Sequence, residues 1–155
     1  AAWITDFPNL VVTRTFSKIF GLAGLRVGYA LASAEIADLM NRVRQPFNVS
    51  SVALAAAEAA LHDTEFLARS AALNRRGMTR LTEAFAALGL EWIESAGNFV
   101  AVRVGAADAV NRALLAQGVI VRPIAGYGMP EWLRVSVGLP EENERFIVAL
   151  KRALA

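Results

Sequence analysis

The sequence predicts an α/β segment followed by an α+β segment, and three observations lead there. Short β-branched runs alternate with longer stretches whose apolar residues recur every three or four positions, the mixed pattern of such folds. Of the 155 residues 55% are apolar and 19% charged, too apolar for disorder and sufficient for a sizeable core. From Asp63 to Leu88 one apolar stripe persists; about 25 residues at 1.5 Å each would reach about 37 Å, enough to run from one domain into another.

Taken in order, Asn9 to Thr15 is short, β-branched and preceded by Pro8, so it reads as a buried strand. Ser17 to Leu25 holds too many glycines for a helix and too little polar alternation for an exposed strand, so a loop against apolar surroundings is expected. Arg26 to Ala32 reads as a returning strand. Ile36, Leu39, Met40 and Val43 carry the helical period from Ala34 to Arg44, and Pro46 ends it. Ser50 or Ser51 caps an alanine-rich helix through Leu61, apolar enough to be buried on most sides or packed on another chain. Asp63 or Thr64 caps the long helix, in which Phe66, Ser70, Leu73, Gly77, Leu81, Phe85 and Leu88 form the stripe and Gly89 supplies the stop. A strand around Phe99 to Val104, a helix from Asp108 to Gln117 closed by Gly118, and a strand Val119 to Val121 follow. Gly126 to Pro130 reads as a turn, Trp132 to Val137 as a strand, and Pro140 with two acids opens a last helix. The domain boundary is expected between 1–62 and 63–155.

Composition removes several function classes. Sixteen basic and fourteen acidic residues leave a net charge of +2, and the basic ones are scattered singly, so nucleic acid is not implied. Without cysteine and with a single histidine, neither a thiolate or histidine metal site nor a His-based triad is expected. No run reaches the roughly 18 apolar residues of a membrane span, and the first residues lack the pattern of a signal peptide. A cytoplasmic protein is the expectation. The chain begins without Met and enters a strand within a few residues, so it reads as the later part of something longer.

The chemistry must then rest on Lys, Arg, Ser, Tyr or carboxylates. Only two of the sixteen basic residues are lysines, Lys18 and Lys151. Lys151 suits the last turn of the final helix and its dipole; His62 similarly suits a helix C-terminus. Lys18 sits at a strand end beside glycines, where a ligand can approach. An amine there can lose its proton and attack a carbonyl, as a guanidinium cannot; a simple loop or phosphate contact is the other reading. Thr15, Ser17 and Arg26 around it suit an anion that carries an aldehyde. Arg122 and Arg134 each lie at a strand end next to a turn, and Arg134 is flanked by apolar residues. A buried guanidinium needs an anion, either a substrate or an internal partner such as Glu131 or Glu141.

Thr13-Arg14-Thr15-Phe16-Ser17-Lys18-Ile19-Phe20-Gly21-Leu22-Ala23-Gly24-Leu25-Arg26-Val27-Gly28-Tyr29 resembles the pyridoxal-phosphate lysine segment of the class I and II aminotransferases of fold type I, most closely their histidinol-phosphate branch. The resemblance extends through Gln45 to Ser50, Gly97-Asn98-Phe99, Gly118 to Pro123 and Gly126 to Gly138, so it covers essentially the whole chain. It implies the end of a large cofactor domain followed by the small C-terminal domain, with pyridoxal 5'-phosphate as cofactor. Lys18 looks like the lysine that binds the cofactor covalently and moves the substrate proton. Ser17 and Arg26 would hold the phosphate, with Thr15 a weaker candidate. Arg134 matches the arginine that grips the carboxylate of the amino donor, and Arg122 the position that helps with a second anion. The implied reaction is amino transfer between histidinol phosphate and 2-oxoglutarate, in histidine biosynthesis.

In that family the carboxylate at the pyridine nitrogen, the ring stacked on the cofactor and the group at its phenolic oxygen all precede the lysine. They are expected upstream of Ala1, and Asp6 does not take that place. Family membership also implies a homodimer. An aromatic amino acid aminotransferase or a phosphothreonine decarboxylase of the same fold is an alternative, and a non-catalytic truncated dimerisation module is one of another class. A dinucleotide site at Gly21 to Gly24 is excluded because a strand, not a helix, follows.

Overall fold

The computed structural model describes residues 2–155, which divide into two compact units, one ending at Ser70 and the other Ala71–Ala155. The first contains α1 (Trp3–Asp6), β1 (Val12–Thr15), β2 (Gly28–Leu31), α2 (Ala34–Val43), α3 (Ser51–His62) and the first turns of α4 (Thr64–Ala87). The second contains the rest of α4, then β3 (Trp92–Ile93), β4 (Phe99–Arg103), α5 (Ala107–Ala116), β5 (Arg122–Pro123), β6 (Trp132–Ser136) and α6 (Pro140–Leu154).

In the first unit β1 and β2 form an antiparallel ladder from Val12↔Leu31 to Thr15↔Gly28. A Cβ at Gly28 would lie 2.7 Å from the Arg14 carbonyl oxygen, so only glycine allows the strands this approach. Phe16, Val27, Ala53 and Ala57 form a small core, with Phe20, Leu22, Leu25, Val49 and Ala60 packed on it. Helices α2, α3 and α4 each start on a side-chain oxygen that accepts an otherwise unpaired backbone N–H: Ser33 from Ile36, Ser50 from Ala53, Asp63 from Phe66.

The second unit is a four-stranded antiparallel sheet in the order β3-β4-β6-β5. The two-residue alternation of β4 and β6 sends Val100, Val102, Leu133 and Val135 into the core with Leu81 and Phe85 of α4, Val110 and Leu114 of α5, and Phe146, Ile147 and Leu150 of α6. Phe85 and Leu81 are fully buried, so truncating either to alanine would cost about 2–5 kcal/mol. Gly77 lets α4 pass close to the strand end, since an added Cβ would collide with Val137 Cγ1. Asn143 is buried there, but its amide is satisfied: Oδ1 accepts from Gly138 N at 2.9 Å and Nδ2 donates to Gly138 O at 3.0 Å.

The sequence reading departs from the structure at four places. Val119 to Val121 is not a strand: Gly118, at φ +71°, turns the chain out of α5, and Val119 N donates to Leu114 O at 3.0 Å, closing the helix instead of joining a ladder. Pairing starts only at Arg122. The first strand is shorter than expected and largely exposed, with only Val12 half-buried, because β2 is its one neighbour. Helix α3 is buried only at Ala53 and Ala57 rather than on most sides. Short α1 and two-residue β3 carry too few residues for a period to show.

Candidate active site

In the first unit the candidate residues cluster on the turn that joins β1 to β2. Phe16, 3% exposed, pins the start of the turn to the core, and its ring lies 4.6 Å from that of Phe20 and 5.8 Å from that of Tyr29. Its N–H donates to Val27 O and its carbonyl accepts from Leu22 N, closing the loop at both ends. Thr15 Oγ1 accepts from Ser17 N at 3.0 Å, and Gly21 N donates to Lys18 O at 2.9 Å, with Gly21 at φ +71°. The backbone on both sides of Lys18 is therefore fixed, while its side chain is exposed.

Arg26 takes the left-handed conformation at φ +52°, which costs a non-glycine residue energy and is found preferentially where function demands it. Its side chain reaches back over the turn: Nη1 donates to Ala23 O at 2.9 Å and, more weakly, to Ser17 Oγ at 3.4 Å. A hydroxyl that accepts from a guanidinium keeps its own hydrogen free to donate, so Ser17 and Arg26 both offer N–H or O–H groups outward. Among the described residues neither Lys18 nor Arg26 has an ion-pair partner. Cationic and hydroxyl donors with no carboxylate among them suit a phosphate, beside an amine that can meet an aldehyde. Thr15, Ser17, Lys18 and Arg26 are thus brought together, and the Thr15 hydroxyl oxygen also serves the loop itself.

In the second unit Arg134 lies on β6 with its side chain on the sheet face opposite the core, and its register partners are Ala101 on β4 and Arg122 on β5. Two arginines directly opposite each other repel. Among the described residues neither has a carboxylate partner. Glu131 is taken by Arg103, whose Nη2 lies 2.7 Å from Glu131 Oε2 and whose Nη1 lies 3.3 Å from Glu91 Oε2. Hydrogen bonds to Glu131 and then Glu91 hold the Arg103 guanidinium above the ordinary arginine value. The internal ion pair with Glu131 or Glu141, one of the two readings of Arg134, is absent among the described residues, and Arg134 Nε is buried without an acceptor. A planar guanidinium in that state is suited to an external carboxylate or phosphate. Arg122 is exposed on a two-residue strand.

One neighbour of this site was not singled out by residue type: Phe99, whose ring lies under the Arg134 guanidinium, 4.9 Å from centroid to Cζ. The available signal was an aromatic on the polar face of an alternating strand. Lys151 and His62 occupy the last turns of α6 and α3, as their sequence positions indicate.

The model of the family "aminotransferase class I and II" matches residues 1–150. Histidinol-phosphate aminotransferase 1 of Cupriavidus pinatubonensis is 65% identical over 157 residues, covering 99% of this chain and 42% of that protein. Histidinol-phosphate aminotransferase 1 of Dechloromonas aromatica is 66% identical over 154 residues, with the same two coverages. The crystal structure of histidinol-phosphate aminotransferase from Sinorhizobium meliloti in complex with pyridoxal-5'-phosphate superposes with a TM-score of 0.84 at 32% identity, covering 96% of this chain and 42% of that one. The chain thus spans about two fifths of the length of the curated relatives it matches.

Proposed function

The chain belongs to the class I and II aminotransferases, and from that membership we propose that it carries the lysine and the anion-binding residues of a pyridoxal-phosphate-dependent amino transfer from histidinol phosphate to 2-oxoglutarate. The observation that carries the reading is the donor set on the β1–β2 turn: the guanidinium of Arg26 joined to the Ser17 hydroxyl beside an exposed, unpaired Lys18. These residues fit the cofactor, because its phosphate needs cationic and hydroxyl donors and its aldehyde needs an amine.

When bound, pyridoxal phosphate supplies an electron sink that weakens the Cα–H bond of an attached amino acid. Ser17 and Arg26 hold the phosphate, with Thr15 fixing the Ser17 backbone and available as a third donor. Lys18 Nζ would hold the cofactor at its aldehyde end and, with a substrate bound, would take up the proton at the substrate Cα and return it. Arg134 receives the carboxylate of glutamate or 2-oxoglutarate by a two-pronged contact, and Arg122 adds charge for the second anion, the phosphate of histidinol phosphate. Both relatives named above are called histidinol-phosphate aminotransferases, which supports this substrate over an aromatic amino acid or phosphothreonine.

The same reading places residues 1–62 at the end of a cofactor domain and 63–155 in a small domain entered through α4. It also makes the enzyme a cytoplasmic homodimer. The support for self-association is α3, whose Val52, Leu54 and Leu61 are 68%, 56% and 51% exposed on a helix of small residues. The test is a substrate panel on the protein expressed from its complete reading frame. Histidinol phosphate should be the best amino donor to 2-oxoglutarate, ahead of phenylalanine and tyrosine, and phosphothreonine should not be decarboxylated. Preference for an aromatic amino acid, or carbon dioxide release from phosphothreonine, would overturn it.

A further inference from the structure

We infer that Phe99 is the positioning residue for Arg134, holding the guanidinium by its ring face so that the terminal nitrogens are presented to an incoming carboxylate. The inference rests on the role proposed for Arg134. Three observations carry it. The register Ala101↔Arg134 and Phe99↔Ser136 puts Phe99 diagonal to Arg134 on the sheet face opposite the core, within reach of an aromatic side chain. On the β4 side the residue opposite Arg134 is Ala101, which leaves room for the ring, and the guanidinium carbon stands 4.9 Å above its centroid; on the β5 side stands Arg122, which offers no counter-charge. Arg134 Nε is buried and meets no acceptor, so the inner edge of the guanidinium is closed to water while no protein carboxylate among the described residues neutralises the charge.

The backbone that leads into Phe99 is held from outside the strand. Asn74 Nδ2 donates to Gly97 O at 2.9 Å, Ser95 Oγ accepts from Gly97 N at 3.1 Å, and Val137 N donates to Asn98 O at 2.9 Å, so the turn that leads into Phe99 is tied to α4 and to the end of β6. Every other apolar side chain of β4 with a bulk above alanine faces the core; Phe99 is 41% exposed and faces the arginine instead. A ring face attracts a guanidinium without using its N–H groups. The charge is thereby held in one orientation while its hydrogen-bonding capacity stays available for a ligand, which a carboxylate partner in the same place would have consumed.

The experiment separates the ring's electrons from its bulk. Phe99 is replaced by 4-fluorophenylalanine and by 3,4,5-trifluorophenylalanine, which keep the shape of the ring while draining its face of negative charge, and by Phe99→Tyr and Phe99→Leu. Binding of glutarate, an unreactive dicarboxylate, is measured by calorimetry on the cofactor-loaded protein expressed from its complete reading frame, with thermal melting as the control for folding. The dissociation constant should rise stepwise with fluorination, reach about tenfold for Phe99→Leu, and return to near the parent value in Phe99→Tyr. A flat fluorination series, with Arg134→Ala still abolishing binding, would overturn the inference and leave the role of Arg134 intact. Unchanged glutarate binding in Arg134→Ala would overturn both.

Discussion

Arg26 Nη1 lies 3.4 Å from Ser17 Oγ across the turn that carries Lys18, with the Arg26 backbone in the left-handed region at φ +52°. The two facts belong together. A backbone conformation that disfavours arginine occurs where the side chain both ties the turn at Ala23 O and joins a hydroxyl in a donor set free of carboxylates, a combination suited to an anion.

Removing the guanidinium should therefore affect affinity for the cofactor far more than stability. Arg26→Ala is expected to weaken pyridoxal phosphate binding by about ten- to a hundredfold, the loss of one charge-assisted contact. Absorbance titration of the protein from its complete reading frame measures this, and the melting temperature should move by only a few degrees.

Gly28 makes the opposite prediction, a stability loss with no charge removed. An added Cβ would stand 2.7 Å from the Arg14 carbonyl oxygen, a backbone atom that cannot rotate away. Gly28→Ala should cost about 1–3 kcal/mol by forcing β1 and β2 apart, seen as a lower denaturant midpoint. Because Gly28 is paired with Thr15 at the mouth of the turn, cofactor affinity should fall with it.

The pairing of Arg80 with Glu144 joins α4 to α6 and gives a pH signature. Hydrogen bonding to Arg80 holds the Glu144 carboxyl below the usual carboxylate range, and the same bond raises Arg80. A depressed folded-state value stabilises the fold above the ordinary glutamate range and ceases to do so as pH falls through the depressed value. Glu144→Gln should thus lower the melting temperature slightly near pH 7, less so in high salt because the pair is exposed, and the gap to the parent should close as pH falls below about 4.

The parts of this molecule set by local chemistry were legible before the structure. Asp63 as one of two cap candidates, Gly118 as a stop and a strand over Trp132 to Val137 each depend on neighbours within a few residues, and each appears in place, the strand ending one residue earlier at Ser136. Lys18, Ser17 and Arg26 could be grouped because a nearly lysine-free composition keeps one lysine in a glycine turn. What was illegible depends on competition between local structures or on distant partners. Val119 has the β-branched character of a strand residue, but the helix before it claims its N–H. The engagement of Glu131 by Arg103, which leaves Arg134 unpaired, and the diagonal placement of Phe99 both follow from the β4–β6 register, which no local pattern encodes.

The most direct test of the central claim is chemical labelling. The protein is incubated with pyridoxal phosphate, reduced with borohydride and digested, and the pyridoxyl mass tag is located by peptide mass spectrometry. The tag should fall on Lys18, be lost in Lys18→Ala and be weakened in Arg26→Ala. A tag on Lys151 with Lys18 unmodified, in protein shown to be folded, would contradict the assignment of the β1–β2 turn as the cofactor site.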